Sequence, residues 1–225
     1  MAFPTISQIV NSRQTATVSS HPVTIPSDLE PGSILLLIEF CHGNLALQSH
    51  PAGFVRLASS PAVDGSGNVN VTLWTYVYSP ALLPVLGVER PRPAVPGGVI
   101  TLTTTATRRS DVYACAFAEK FFVSYFLTAI SNGGATAIDA PNLAYSATAK
   151  DVLWLAIGTG INFTLGTYPT NYSLYQRAHS GGGQGNAIAG RELNAASENP
   201  GAFGGAPNPN SDWHAMTLGV ALTAT

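Results

Sequence analysis

Residues 33–41 read Ser-Ile-Leu-Leu-Leu-Ile-Glu-Phe-Cys. The run is almost continuously apolar, sharply bounded, and too short for a comfortable helix. A turn composition, PSDLEPG at 26–32, precedes it, and a loop follows from His42. Such a run fits a central β-strand covered on both faces. Residues 151–158, DVLWLAIG, repeat the pattern with Trp154 as an anchor. Two strands of this kind belong in the middle of a layered β structure.

Working outward, further segments read as strands. Residues 69–79, VNVTLWTYVYS, are dense in β-branched and aromatic types. Val69, Val71, Leu73, Thr75 and Val77 face one side and Thr72, Trp74, Tyr76 and Tyr78 the other. Both sides are therefore expected to be covered, or one of them to meet a partner. Residues 15–25, 54–59, 142–147, 172–178, 186–194 and 213–224 complete the simpler strand assignments. Residues 99–107 and 111–119 look like a hairpin turning at Arg108-Arg109-Ser110. Residues 120–130, KFFVSYFLTAI, are either strand or an exposed apolar element, with a turn at 131–134.

Turn chemistry separates nearly all of these segments, and no stretch has convincing helical periodicity. Roughly ten strands at this spacing predict an all-β fold, an antiparallel two-sheet sandwich of jelly-roll type. Residues 1–14 read as an N-terminal arm and 15–225 as one sandwich domain. A long projecting loop is expected at 80–98, where five prolines deny donors to any sheet ladder.

The chain has 225 residues, ample for a large core without a metal or disulfide staple. Charged residues make up only 10% against a usual quarter, and the net charge is −2. Such a balance gives no strong field to draw nucleic acid. A neutral polar surface is buried against neighbours at modest cost, which favours packing into an assembly. Residues 1–10, MAFPTISQIV, lack the basic start and long apolar run of a secretory signal, and no stretch reaches the ~20 apolar residues of a membrane span. Cys41 and Cys115 read as buried free thiols, with a disulfide left open.

Chemistry is sparse. The histidines, His21, His42, His50, His179 and His214, form no metal-binding spacing, and no G-x-S-x-G elbow occurs. No metal or cofactor is expected. The 64–68 turn, DGSGN, resembles a calcium loop but lacks the later glutamate. Asp212-Trp213-His214 reads as a capping aspartate and a solvent-facing histidine. Glu39 is expected to reach solvent or an arginine. Glu192 and Glu198 are the best carboxylate pair for glycoside chemistry, but nothing fixes their separation. Glycines 181–183 and 185 form a hairpin tip rather than a phosphate loop, since no helix follows. Glu89, Arg90, Arg92, Arg108 and Arg109 are candidates for docking on an acidic protein surface.

The most distinctive string is RELNAASENPGAF, residues 191–203. It reads as a structural lock built from Arg191, Glu192, Glu198, Pro200, Gly201, Phe203 and Trp213. Arg191 pairs with Glu192 or Glu198, Asn199-Pro200-Gly201 makes a tight turn, and Phe203 and Trp213 cover the sheet edge.

Taken with Ser12-Arg13, VTIP at 23–26, PGSILL at 31–36, PAGF at 51–54, LWLA at 153–156, YPTNY at 168–172 and WHAMT at 213–217, this string resembles β-sandwich structural proteins of tailed bacteriophages. The similarity runs from about residue 12 to 222, with departures at 82–98 and 120–130. The resemblance implies a non-enzymatic virion protein assembled in the host cytoplasm. A capsid decoration protein, a minor capsid protein or a tail component fits best. Its implied partners are major capsid or tail proteins and further copies of itself, as a homo-oligomer such as a trimer, with neither nucleic acid nor membrane. The alternative is a receptor-binding module for host glycans, with Phe163, Tyr168, Tyr172 and Trp213 as stacking platforms. The family carries no established catalytic residues, and none is transferred.

Overall fold

The computed structural model describes residues 3–42, 48–49, 53–60, 69–78, 96–120, 124–134, 137–146, 148–181, 183–205 and 212–222. The expected loop at 80–98 lies almost entirely outside them. The described chain is all-β and antiparallel, a sandwich of two main sheets.

The strands, in chain order, are β1 (Ile6–Thr24), β2 (Ser33–His42), β3 (Gln48–Ser49), β4 (Val55–Ser59), β5 (Val69–Val77), β6 (Val99–Lys120), β7 (Ser124–Gly134), β8 (Asp139–Ala140), β9 (Leu143–Ala144), β10 (Lys150–Ile161), β11 (Leu174–Gly181), β12 (Gln184–Ala195), β13 (Ser197–Glu198), β14 (Gly201–Ala202) and β15 (Asp212–Leu222). The first sheet runs β1-β6-β2-β5-β4, with β3 also paired to β6, and the second runs β11-β12-β10-β15-β7. Two short ribbons, β13 with β9 and β14 with β8, lie beside the second sheet.

The two apolar runs occupy central positions because alternation sends their side chains into two different cores. From β2, Ile34, Leu36, Ile38 and Phe40 enter the layer between the sheets, where they meet Leu153, Leu155 and Ile157 of β10. Leu35 and Leu37 point the other way, into a second core with Trp74 and Tyr76 of β5. From β10, Val152, Trp154 and Ala156 enter a third core on the outer face of the second sheet.

The second core exists because the first sheet curls over itself. Val23 and Ile25, at the end of β1, and Ile100 and Leu102, at the start of β6, share it with Val112, Ala114 and Ala116 from the far half of β6. Register shifts between Gln14 and Val18 and between Val18 and Ser20 mark the bend, as bulges do. His21 holds it. Its Nδ1 lies 2.7 Å from Ser110 Oγ and its Nε2 3.1 Å from Thr104 Oγ1, so one imidazole ties together the two halves of β6.

In the third core, aromatic side chains sit on a floor of small residues. Ile138, Phe163, Tyr172 and Phe203 pack against Ala156, Ala187, Ala189 and Ala215. Gly158 and Gly219 belong to the same floor. A Cβ at Gly158 would lie 2.8 Å from Ile138 Cγ2, and one at Gly219 2.7 Å from Tyr145 Cδ2.

Several expectations are corrected. Residues 6–14 of the expected arm are part of β1 and pair with β6 from Ile6 opposite Phe117. The expected turn at Arg108-Arg109-Ser110 is strand, because Ser110 is paired on both sides, with Gln14 and with Cys41. No glycine or proline stands there to reverse the chain. Residues 131–134 continue β7 rather than turning, held by β15. Glu39 is buried within the curl, and its visible partner is Trp74 Nε1 at 3.2 Å, neither solvent nor an arginine. Cys41 and Cys115, by contrast, are buried free thiols as expected.

Candidate functional site

The even register of the second sheet aligns polar residues across it. His179 of β11 faces Asn186 of β12, Asn186 faces Thr159 of β10, and Thr159 faces His214 of β15. Directly opposed residues share a face, so the four form one row across neighbouring strands. The row lies on the face turned toward the first sheet, two residues along each strand from Ile157, Ile188 and Met216 of the inter-sheet core. Asn186, Thr159 and His214 are fully buried, and His179 is half-buried.

The first sheet meets this row with Asp111, which lies on the same face of β6 as Tyr113 and Cys115. Asp111 is 3% exposed, a costly place for a carboxylate without partners. Asn11 donates its Nδ2 to Asp111 Oδ1, and Asn186 donates to Oδ2 at 3.0 Å. Asn186 is itself fixed, since Tyr113 donates its hydroxyl to Asn186 Oδ1 at 2.9 Å. His179 Nδ1 stands 3.9 Å from Asp111 Oδ2. Thr159 donates to the Gly185 carbonyl at 2.9 Å.

A crevice opens beside this network. Arg13, Arg109, His179, Gln184 and Asn186 line it together with Asp111. Arg13 Nη2 donates to the Gly181 carbonyl at 3.4 Å. Burial lowers the pKa of His179, Arg13 lowers it further, and Asp111 opposes both. His42 is also lowered, by burial and then by Arg109 and Arg108. Gln184 is 6% exposed, and its Nε2 has no hydrogen-bond partner.

His214 is corrected from solvent-facing to fully buried. Neither ring nitrogen has a partner, and burial lowers its pKa, with Asp212 opposing. The buried Ser110 and His21 stand at hydrogen-bond distance, as a nucleophile and its base would. The second ring nitrogen is held by Thr104, so the group acts as the tie of the bend.

The lock residues divide. Arg191 Nη1 lies 2.9 Å from Glu198 Oε1, and Tyr172 donates its hydroxyl to the same oxygen at 3.4 Å. Pro200 is buried, Gly201 takes φ 76°, and Phe203 and Trp213 lie in the third core. Glu192 is exposed and, one residue along β12, points to the opposite face from Arg191. Of the docking candidates, Arg108 and Arg109 lie within β6, while Glu89, Arg90 and Arg92 fall outside the described residues. Phe163, Tyr172 and Trp213, named above as glycan platforms, are buried in the third core and present no ring to a ligand. Tyr168 is half-buried against it.

Sequence reasoning missed the polar row and Asp111. The signal for them is register between distant strands, which residue spacing along one strand does not carry. No family model matches this chain, and no curated protein or solved structure matches it significantly.

Proposed function

We propose that this chain is a non-enzymatic structural protein of a tailed-bacteriophage particle, either a capsid decoration or minor capsid protein or a component of the tail. The observation that supports this most is the role of the string carrying the resemblance. Within residues 191–203, Arg191 and Glu198 engage each other, and Phe203 is packed into the third core. The distinctive residues are thus spent on stiffening a long connection, as a scaffold requires. The low charge density agrees, because such a surface packs against neighbours with little desolvation cost.

Immunogold labelling of purified particles from the source phage tests the proposal. Label over the head supports decoration, and label at the tail supports a tail component. Purified particles that contain none of the protein overturn it.

A further inference from the structure

A strand at the edge of a sheet offers unpaired N–H and C=O groups to any other strand, and folds guard such edges. The two main sheets end on β1 and β4 and on β11 and β7. Three of these edges are guarded. β4 is five residues long, has a register shift between Arg56 and Ala58, and carries the exposed Arg56. β11 is shifted between Leu174 and Arg177 and exposes Arg177. β1 has three register shifts and carries Arg13 and Pro22. Its Gln8 and Ser12 side chains also accept the backbone amides of Ser27 and Thr24.

β7 has none of these devices. Its 11 residues pair with β15 consecutively, without a register shift. Its sequence, SYFLTAISNGG, contains no charge and no proline. Among the described residues, no other strand pairs with its second edge. Apolar surface gathers on the same side of the molecule. Ile130 is 36% exposed, although its cross-strand partner Met216 is fully buried in the inter-sheet core. Val55 belongs to β4, the edge strand of the first sheet that approaches β7. It is 60% exposed, and by register it shares with Thr75 and Leu73 the face turned toward the second sheet. Aliphatic side chains aimed at the inter-sheet layer therefore reach solvent on the β4–β7 side.

We propose that β7 is the docking edge for a second copy of this chain, pairing antiparallel with its counterpart about a two-fold axis at Ala129. In that register the whole strand finds partners, from Ser124 opposite the partner's Gly134 onward, and Ile130 stands opposite the partner's Thr128. The two five-stranded sheets become one continuous sheet. An isologous contact sets each strand against the charges that it carries itself, and like charges across a strand pair repel. Self-pairing therefore suits the uncharged β7 and disfavours β1, β4 and β11 with their arginines. The inference stands apart from the role in a particle, and it specifies a two-fold rather than a three-fold association.

Sedimentation velocity of the full chain over a range of concentrations tests the association and should show a dimer. Ala129→Cys tests the register. Residues on the axis face each other across the pair at a distance a disulfide can span, and the native thiols are buried. Mild oxidation should therefore give a linked dimer on a non-reducing gel. Ile130→Lys sets two like charges beside the axis at an exposed position. It should weaken dimerisation by about tenfold or more while circular dichroism still reports a folded β protein. If either variant fails to fold, the other decides. A monomer at every concentration, a trimer, or a dimer that neither cross-links through Ala129→Cys nor weakens with Ile130→Lys overturns the proposal.

Discussion

Asn186 of the second sheet donates its side-chain amide to the carboxylate of Asp111 in the first, at 3.0 Å. This contact joins the two sheets at the polar end of their shared core, and Tyr113 completes it from above. Asn186→Ala removes a donor from a buried acid. It should destabilise the protein by roughly 2–4 kcal/mol in urea unfolding. Adding Asp111→Ala should cost less than the sum of the two single changes, because the stranded charge is then gone.

Glu39 has one visible donor, Trp74 Nε1, and one oxygen without a partner. Burial raises its pKa to about 7 from 4.5. The folded state therefore favours the protonated acid. That contribution is complete below about pH 4.5 and is lost as pH rises toward 7. Glu39→Gln keeps an acceptor for Trp74 and removes the ionisation. It should stabilise the protein at pH 8 by roughly 2–4 kcal/mol and leave it little changed at pH 4, as read from melting temperatures at the two values.

The histidines act in the opposite direction. His21, His42, His179 and His214 all have lowered pKa values, with burial the first cause in each. A base held neutral by folding gives stability that is present above its ordinary pKa near 6.5 and is lost as pH falls below it. With the opposing contribution of Glu39 removed by Glu39→Gln, the melting temperature should drop between pH 7 and pH 5. His214→Leu should lessen that drop, since this imidazole has no partner for either nitrogen. An unchanged drop would place the acid sensitivity at the other three.

The glycine floor of the third core allows a paired test. Gly158→Ala drives a methyl to within 2.8 Å of Ile138 Cγ2 and 3.0 Å of Phe203 Cε2. It should cost about 1–3 kcal/mol by overpacking. Gly201→Ala meets nothing within 4 Å but sits at φ 76°. Its cost should be near 1 kcal/mol, from the left-handed backbone alone. Denaturation midpoints of the two variants separate crowding from backbone strain.

The central strands were legible because both their faces are apolar, as at Leu36 and Leu37 or at Trp154 and Leu155. The pairing of Arg191 with an acid was legible from local spacing, although only the fold chooses Glu198 over Glu192. The continuity of β6 through Arg108 and Arg109 was not, because its support comes from β1 and β2, far away in sequence. The curl has the same origin, since it follows from bulges that residue types do not announce. His214 and Glu39 were misplaced because their polarity argued for solvent while their registers carried them inside. The polar row depends on four strands being aligned at once, which no single segment reveals.

The long β1–β6 ladder also governs the order in which this chain can fold. Ile6 pairs with Phe117 and Thr24 with Val99, so even the nearest pair of this ladder is separated by 75 residues (99 − 24). The β11–β12 hairpin closes over a few residues and forms quickly, whereas contacts this distant must first overcome loop-closure entropy. During synthesis the N-terminal strand therefore waits, unpaired, for a segment still on the ribosome. In that interval it is open to capture by chaperones or by a neighbouring copy.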